Sequence, residues 1–94
     1  MPDDFGLLDN YPNPFNPETM ITYRIPGSGR VRLKVFDSNG REIRILVDGD
    51  LQQGSYRVPW DGRDSRGIPV SSGIYLFALE TGRGTATRKC LFMK

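Results

Sequence analysis

Residues 30–40 read RVRLKVFDSNG. Val31, Leu33 and Val35 alternate with Arg30, Arg32 and Lys34, a period of two that gives an extended chain one apolar and one charged face. Asn39-Gly40 closes the run, and this pair accepts the positive φ that a tight hairpin turn requires. A strand ending in a hairpin turn is therefore the anchor of the reading, and the same pattern recurs on both sides of it.

Upstream, Thr19 to Ile25 alternates, with Ile21, Tyr23 and Ile25 on one face, and residues 26–29 (PGSG) form a turn. Downstream, Arg41 to Val47 returns, but Ile43 and Leu46 break the period of two, which predicts a β-bulge. Asp48 to Asp50 reads as a polar link. Gly54 to Trp60 is a further strand with Tyr56, Val58 and Trp60 on one side. Pro59 confines it to a sheet edge or to the end of pairing. Leu51, Gly54, Tyr56 and Val58 follow the pattern of a tyrosine corner, in which the phenol oxygen bonds nearby backbone. Residues 61–67 (DGRDSRG) are a long polar turn. Ile74 to Thr81 is apolar on both faces and so reads as a central strand. Residues 82–84 (GRG) make the last hairpin. Thr85 to Lys94 follows as the final strand, with Cys90 and Phe92 on one face and Leu91 and Met93 on the other.

Residues 1–18 form a lead-in rich in proline and asparagine. Pro12, Pro14 and Pro17 exclude a helix there, and Asn13 and its neighbours support turns. Tyr11 and Phe15 are expected to fold inward as apolar anchors, and a seventh strand is expected near Phe5 to Leu8. The whole chain, 1–94, therefore reads as one all-β domain: an immunoglobulin-like β-sandwich of about seven antiparallel strands.

The composition limits function more than it assigns it. The formal net charge is +2, and acidic and basic residues alternate along the chain, so there is no concentrated footprint for nucleic acid. The chain has no histidine, which removes the commonest general base and metal ligand. Cys90 is the lone cysteine, so no internal disulfide forms, and its apolar setting suggests a buried small hydrophobe. No apolar run approaches the ~18 residues of a transmembrane helix. The acidic start, Met1 to Asp4, does not read as a secretory leader. Export would therefore depend on a longer parent chain.

Each candidate for chemistry has a simpler structural reading. Asp61, Asp64 and Asp37 are the right ligand type for Ca²⁺, but their spacing lacks a full calcium loop, and turn carboxylates bonding backbone amides fit better. Trp60, Phe36, Tyr75 and Phe77 could line a sugar platform, yet aromatics in a small sandwich usually fill its core. Phe36, on the outward face with Arg32 and Lys34, is the best exposed of them. Arg24, Arg30, Arg32, Lys34 and Arg44 could meet an anionic polymer, or could be a solvated face that discourages edge pairing. Ser71, Ser72 and Cys90 have no histidine to activate them, so no catalytic residue is assigned and no enzyme is expected.

Several blocks carry a family resemblance: NYPNPFNP (10–17), VFDSNGR (35–41), WDGRDSRG (60–67), SGIY (72–75) and TRK (87–89). In this order and spacing the chain resembles the C-terminal sorting domains of the bacterial type IX (Por) secretion system and the related FlgD-type immunoglobulin-like domains. Pro12, Asn13, Pro14, Phe15, Tyr56, Trp60, Asp61, Gly62, Gly73 and Tyr75 are the structural positions of that pattern. The resemblance implies a domain at the end of a longer exported protein, read by an outer-membrane translocon through its final strand and often cleaved afterwards. The recognition residues it implies are Arg88, Lys89, Cys90, Leu91, Phe92, Met93 and Lys94, with Lys89 and Lys94 at the basic positions. It implies secretion or the cell surface as location, and a translocon or another protein as partner beside the parent chain's cargo domain. A second copy could add through edge strands. No cofactor, metal, nucleic acid or membrane span is implied. A structural module, of the flagellar hook-cap type or appended to a hydrolase, is the alternative, and a carbohydrate-binding module is a third.

Overall fold

A computed structural model of the chain describes residues 8–13 and 18–93, and Phe5, Pro14, Phe15 and Lys94 lie outside them. Seven strands occur: β1 (Leu8–Tyr11), β2 (Thr19–Ile25), β3 (Gly29–Asp37), β4 (Glu42–Leu51), β5 (Gly54–Trp60), β6 (Gly73–Thr81) and β7 (Gly84–Phe92). All pairings among these strands are antiparallel, in a three-stranded sheet ordered β1-β2-β5 and a four-stranded sheet ordered β4-β3-β6-β7. This is the expected immunoglobulin-like sandwich.

The two sheets close over Ile21, Tyr23 and Ile25 of β2, Val31, Leu33 and Val35 of β3, Trp60 of β5, Tyr75, Phe77 and Leu79 of β6, and Cys90 and Phe92 of β7. These are the inward members of each alternation. Trp60 is fully buried and meets Tyr75, Phe77 and Phe92, with ring centroids 5.5, 5.8 and 6.4 Å away. The central position of β6, between β3 and β7, explains why its second face is also apolar, down to the nearly buried Ala78. Pro59 sits on β5, an edge strand, as its missing N–H requires.

The bulge expected on the return strand is present twice. The β3–β4 register shifts between Leu33 and Lys34, where Leu46 is skipped, and between Val35 and Phe36, where Ile43 is skipped. Each extra residue restores an apolar side chain to the core side, and both pack against the core.

Two expectations need correction, the polar link and the inward Tyr11. The residues 48–50 continue β4 rather than linking strands. Asp48 stands opposite Arg32 and Asp50 opposite Arg30, so cross-strand charge pairs hold a polar edge strand in place. The lead-in contains the first strand, described over Leu8–Tyr11, while residues 5–7 of the expected stretch lie outside the described residues. Tyr11 does not fold inward; it is 82% exposed. Asn10 faces in opposite Ile21, and alternation then sends Tyr11 out.

Two short motifs are used twice. Asp37-Ser38-Asn39-Gly40-Arg41 and Asp64-Ser65-Arg66-Gly67-Ile68 form the same turn. In each, the aspartate Oδ1 accepts the N–H groups two and four residues on, and the glycine has φ of 85° or 83°. Likewise, Tyr56 Oη donates to the carbonyl of Gln52 and Tyr75 Oη to that of Ser71. Gly54 and Gly73, two residues before each tyrosine, adopt φ of 151° and 154°, where a side chain is strained. The tyrosine-corner expectation at Tyr56 holds, and β6 carries a second one.

The amide contacts hold the Asp64 carboxyl below its ordinary value, with the Ile68 N–H the largest cause. A depressed folded value means stabilisation that is complete above the unfolded pKa of about 3.9 and is lost as pH falls through the folded value. Asp64→Asn should therefore shrink the fall in urea midpoint between about pH 5 and pH 2. Asp37 and Asp48 are depressed too and keep part of that fall, so an unchanged acid limb would refute the role of Asp64.

Candidate functional site

The candidate recognition residues Arg88 to Met93 fall on β7 and just beyond it. Among the described residues β7 is an edge strand: one side of its main chain pairs with β6 and no strand pairs with the other. Cys90 and Phe92 are buried in the core, while Lys89, Leu91 and Met93 are exposed on the outer face of the sheet. The recognition set is thus divided. Cys90 and Phe92 hold the strand, and Lys89, Leu91 and Met93 are the ones a partner can touch. Leu91 stands opposite Ile74, itself 48% exposed, and Lys89 opposite Leu76. Together they make a small apolar strip with one cation beside it. A shallow hollow of about 200 Å³ lies here, lined by Asn13, Ile74, Lys89, Cys90 and Leu91.

The end of β1 reaches this edge. Asn13 Oδ1 accepts the Leu91 N–H at 3.0 Å, and Arg88 meets Asp9 at 3.0 Å. Sequence reasoning placed Asn13 and Leu91 in separate motifs and missed that they touch.

The other candidates resolve into structure. Asp61 Oδ1 accepts from Arg44 at 2.9 Å and from the Arg63 N–H, and the carboxylates of Asp37 and Asp64 close their own turns. Among the described residues, no three His, Cys, Asp or Glu side chains group as a metal ion would need. The aromatic platform does not exist as expected: Trp60 and Phe77 are fully buried and Tyr75 is 6% exposed. Trp60 Nε1 donates to the Arg63 carbonyl at 2.9 Å, so even its polar handle serves the loop after β5. Phe36 lies on the outer face but half-buried, opposite Leu76.

The expected basic face is also divided. Arg30 and Arg32 meet Asp48, Lys34 lies 3.4 Å from both Glu42 and Glu80, and Arg44 pairs with Asp61. Arg24 belongs to the other sheet. Ser71 supplies its main-chain carbonyl to Tyr75, and burial pushes the Cys90 thiol up to about 12, the opposite of an activated nucleophile.

The model of the FlgD Ig-like domain family matches residues 20–85, from β2 into the start of β7. The chain belongs to the FlgD Ig-like domain family. The curated "Basal-body rod modification protein FlgD" of Salmonella typhimurium is 33% identical over 55 residues, 58% of this chain and 24% of that protein. The chain thus spans about a quarter of the length of the curated relative. The structure of FlgD from P. aeruginosa is 26% identical over 79% of this chain and 59% of its own, with a TM-score of 0.62. PorZ, described as a surface component of the type-IX secretion system of Porphyromonas gingivalis, aligns over 93% of this chain and 11% of its own at 19% identity and a TM-score of 0.62. That likeness shows the shared fold. The family match ends at residue 85 and therefore stops short of Arg88 to Lys94, the segment on which a sorting role would depend.

Proposed function

We propose that this chain is a non-catalytic assembly module: an immunoglobulin-like domain carried by a larger exported bacterial protein, which it joins to a protein partner. The observation that carries this reading is the family match across five of the seven strands and into the last, in a domain whose curated FlgD relative is named a basal-body rod modification protein. The placement of candidate chemical groups supports it, because aspartates, arginines and aromatics are engaged in turns, ion pairs and core. Contact through the exposed strip of β6 and β7 is the physically suitable mode, either on the face or by strand addition at the edge.

One feature favours a second reading, type IX sorting. The final strand is an open edge that displays Lys89, Leu91 and Met93, the accessible part of the basic-apolar tail. A reporter fusion in a bacterium with a type IX system separates the two. Under the assembly reading the reporter stays where its own export signal leaves it, with or without this domain. Surface delivery that disappears when residues 89–94 are deleted would overturn the assembly reading in favour of sorting.

A further inference from the structure

We propose that Asn13 is a latch on the free edge of β7, and that it limits how far a second copy of this chain can pair there. The inference concerns the edge itself and holds under either functional reading.

In an antiparallel strand the N–H and C=O of one residue point to the same side, and successive residues alternate. The Leu91 N–H bonds Asn13 rather than β6, so Leu91 faces the free edge. The β6–β7 register runs without a shift, which places Lys89, Thr87 and Thr85 on that edge as well. The main chain there forms a ladder of edge groups, and the amide oxygen of Asn13 occupies its last donor.

The latch is built rather than incidental. Thr19 Oγ donates to the Pro12 carbonyl at 2.9 Å, and Asn10 Nδ2 donates to Thr19 Oγ at 3.2 Å. Thr19 is 1% exposed and Asn10 5%. Two buried polar side chains therefore fix the backbone immediately before Asn13. The Arg88–Asp9 pair ties the same two segments one turn of the pleat further back.

A second β7 is a fitting occupant of the edge. Paired antiparallel about Thr87, two copies set Lys89 opposite Thr85 and Arg88 opposite Ala86, so no like charges face each other. Centred on Lys89 instead, the pair would oppose two lysines. Extending the favoured register by one step brings Leu91 opposite Arg83, and this step needs the Leu91 N–H that Asn13 holds. Among the described residues the latch therefore leaves the main-chain edge of Thr85 to Lys89 unpaired and closes the end of the strand. Releasing it adds hydrogen bonds at both ends of a two-fold pair.

The test uses the full chain and its Asn13→Ala variant. Amide exchange at Leu91 should rise roughly tenfold in the variant, and the dimer dissociation constant from sedimentation should fall roughly fivefold to tenfold, the scale of one or two net hydrogen bonds. Thr87→Pro removes an edge-facing N–H without touching the β6 ladder, so it should cancel the gain. Unchanged exchange at Leu91 overturns the latch. Faster exchange without tighter association overturns its role in pairing, and a gain that survives Thr87→Pro overturns the register.

Discussion

Trp60→Ala is expected to lower the melting temperature of the domain by at least about 12 °C. A chain of 94 residues has roughly 5–14 kcal/mol of stability in total. Truncating a buried tryptophan to alanine costs about 3–5 kcal/mol. At about 4–8 °C per kcal/mol for a domain of this size, Tm should fall by roughly 12–40 °C. The site explains why relief is limited. Trp60 touches Tyr75 and Phe77 of β6 and Phe92 of β7 from the opposite sheet, so the cavity opens at the contact between sheets. Trp60→Phe should cost less, because Arg44 Nη1 also reaches the Arg63 carbonyl, at 3.3 Å, and keeps that acceptor partly satisfied. Calorimetry on the three proteins decides the matter. A Trp60→Ala domain that melts within a few degrees of the parent would mean the side chain is not the keystone of the core. The same result bears on function, since loss of glycan binding in this variant would report unfolding and not a lost platform.

The fold was legible where one face is buried and the other is wet. Val31, Leu33 and Val35 gave the period of two without interruption, and their burial is complete. Ile43 and Leu46 were legible as bulges for the same reason: an edge strand that must reach the core twice out of phase needs two extra residues. Hydropathy misleads where pairing decides direction. Tyr11 is apolar enough to be buried, but the β1–β2 register gives the inward position to Asn10, whose Nδ2 donates to Thr19 Oγ. Asp48 and Asp50 looked like a loop because their partners, Arg32 and Arg30, lie far away in sequence. The candidate site was half legible. Alternation separated Cys90 and Phe92 from Leu91 and Met93 correctly, yet nothing local shows that Asn13 sits on Leu91. The twin Asp-Ser-x-Gly turns were present in the sequence as an internal repeat too short to read as a period.

Cys90 should be nearly inert in the folded domain and react readily once β7 leaves the core. Its side chain is 2% exposed, and burial raises the thiol from 9.0 to about 12, against a smaller opposing effect of the Tyr75 backbone. At about pH 8 an ordinary thiol is roughly one-tenth thiolate, and one at about 12 is about one part in ten thousand. Because the thiolate is the nucleophile, iodoacetamide should label the folded chain about a thousandfold more slowly than the urea-unfolded chain, before any steric shielding is added. Labelling that does occur must pass through an opened state, so its rate tracks the population of molecules in which β7 has parted from the core. This makes Cys90 a reporter for the strand on which the functional readings depend. In Asn13→Ala, the Leu91 amide should exchange faster while Cys90 labelling stays slow, because freeing the edge is not the same as detaching the strand. If Cys90 is labelled in the folded protein within tenfold of the unfolded rate, β7 is not held against the core, and both the latch and the open-edge reading lose their basis.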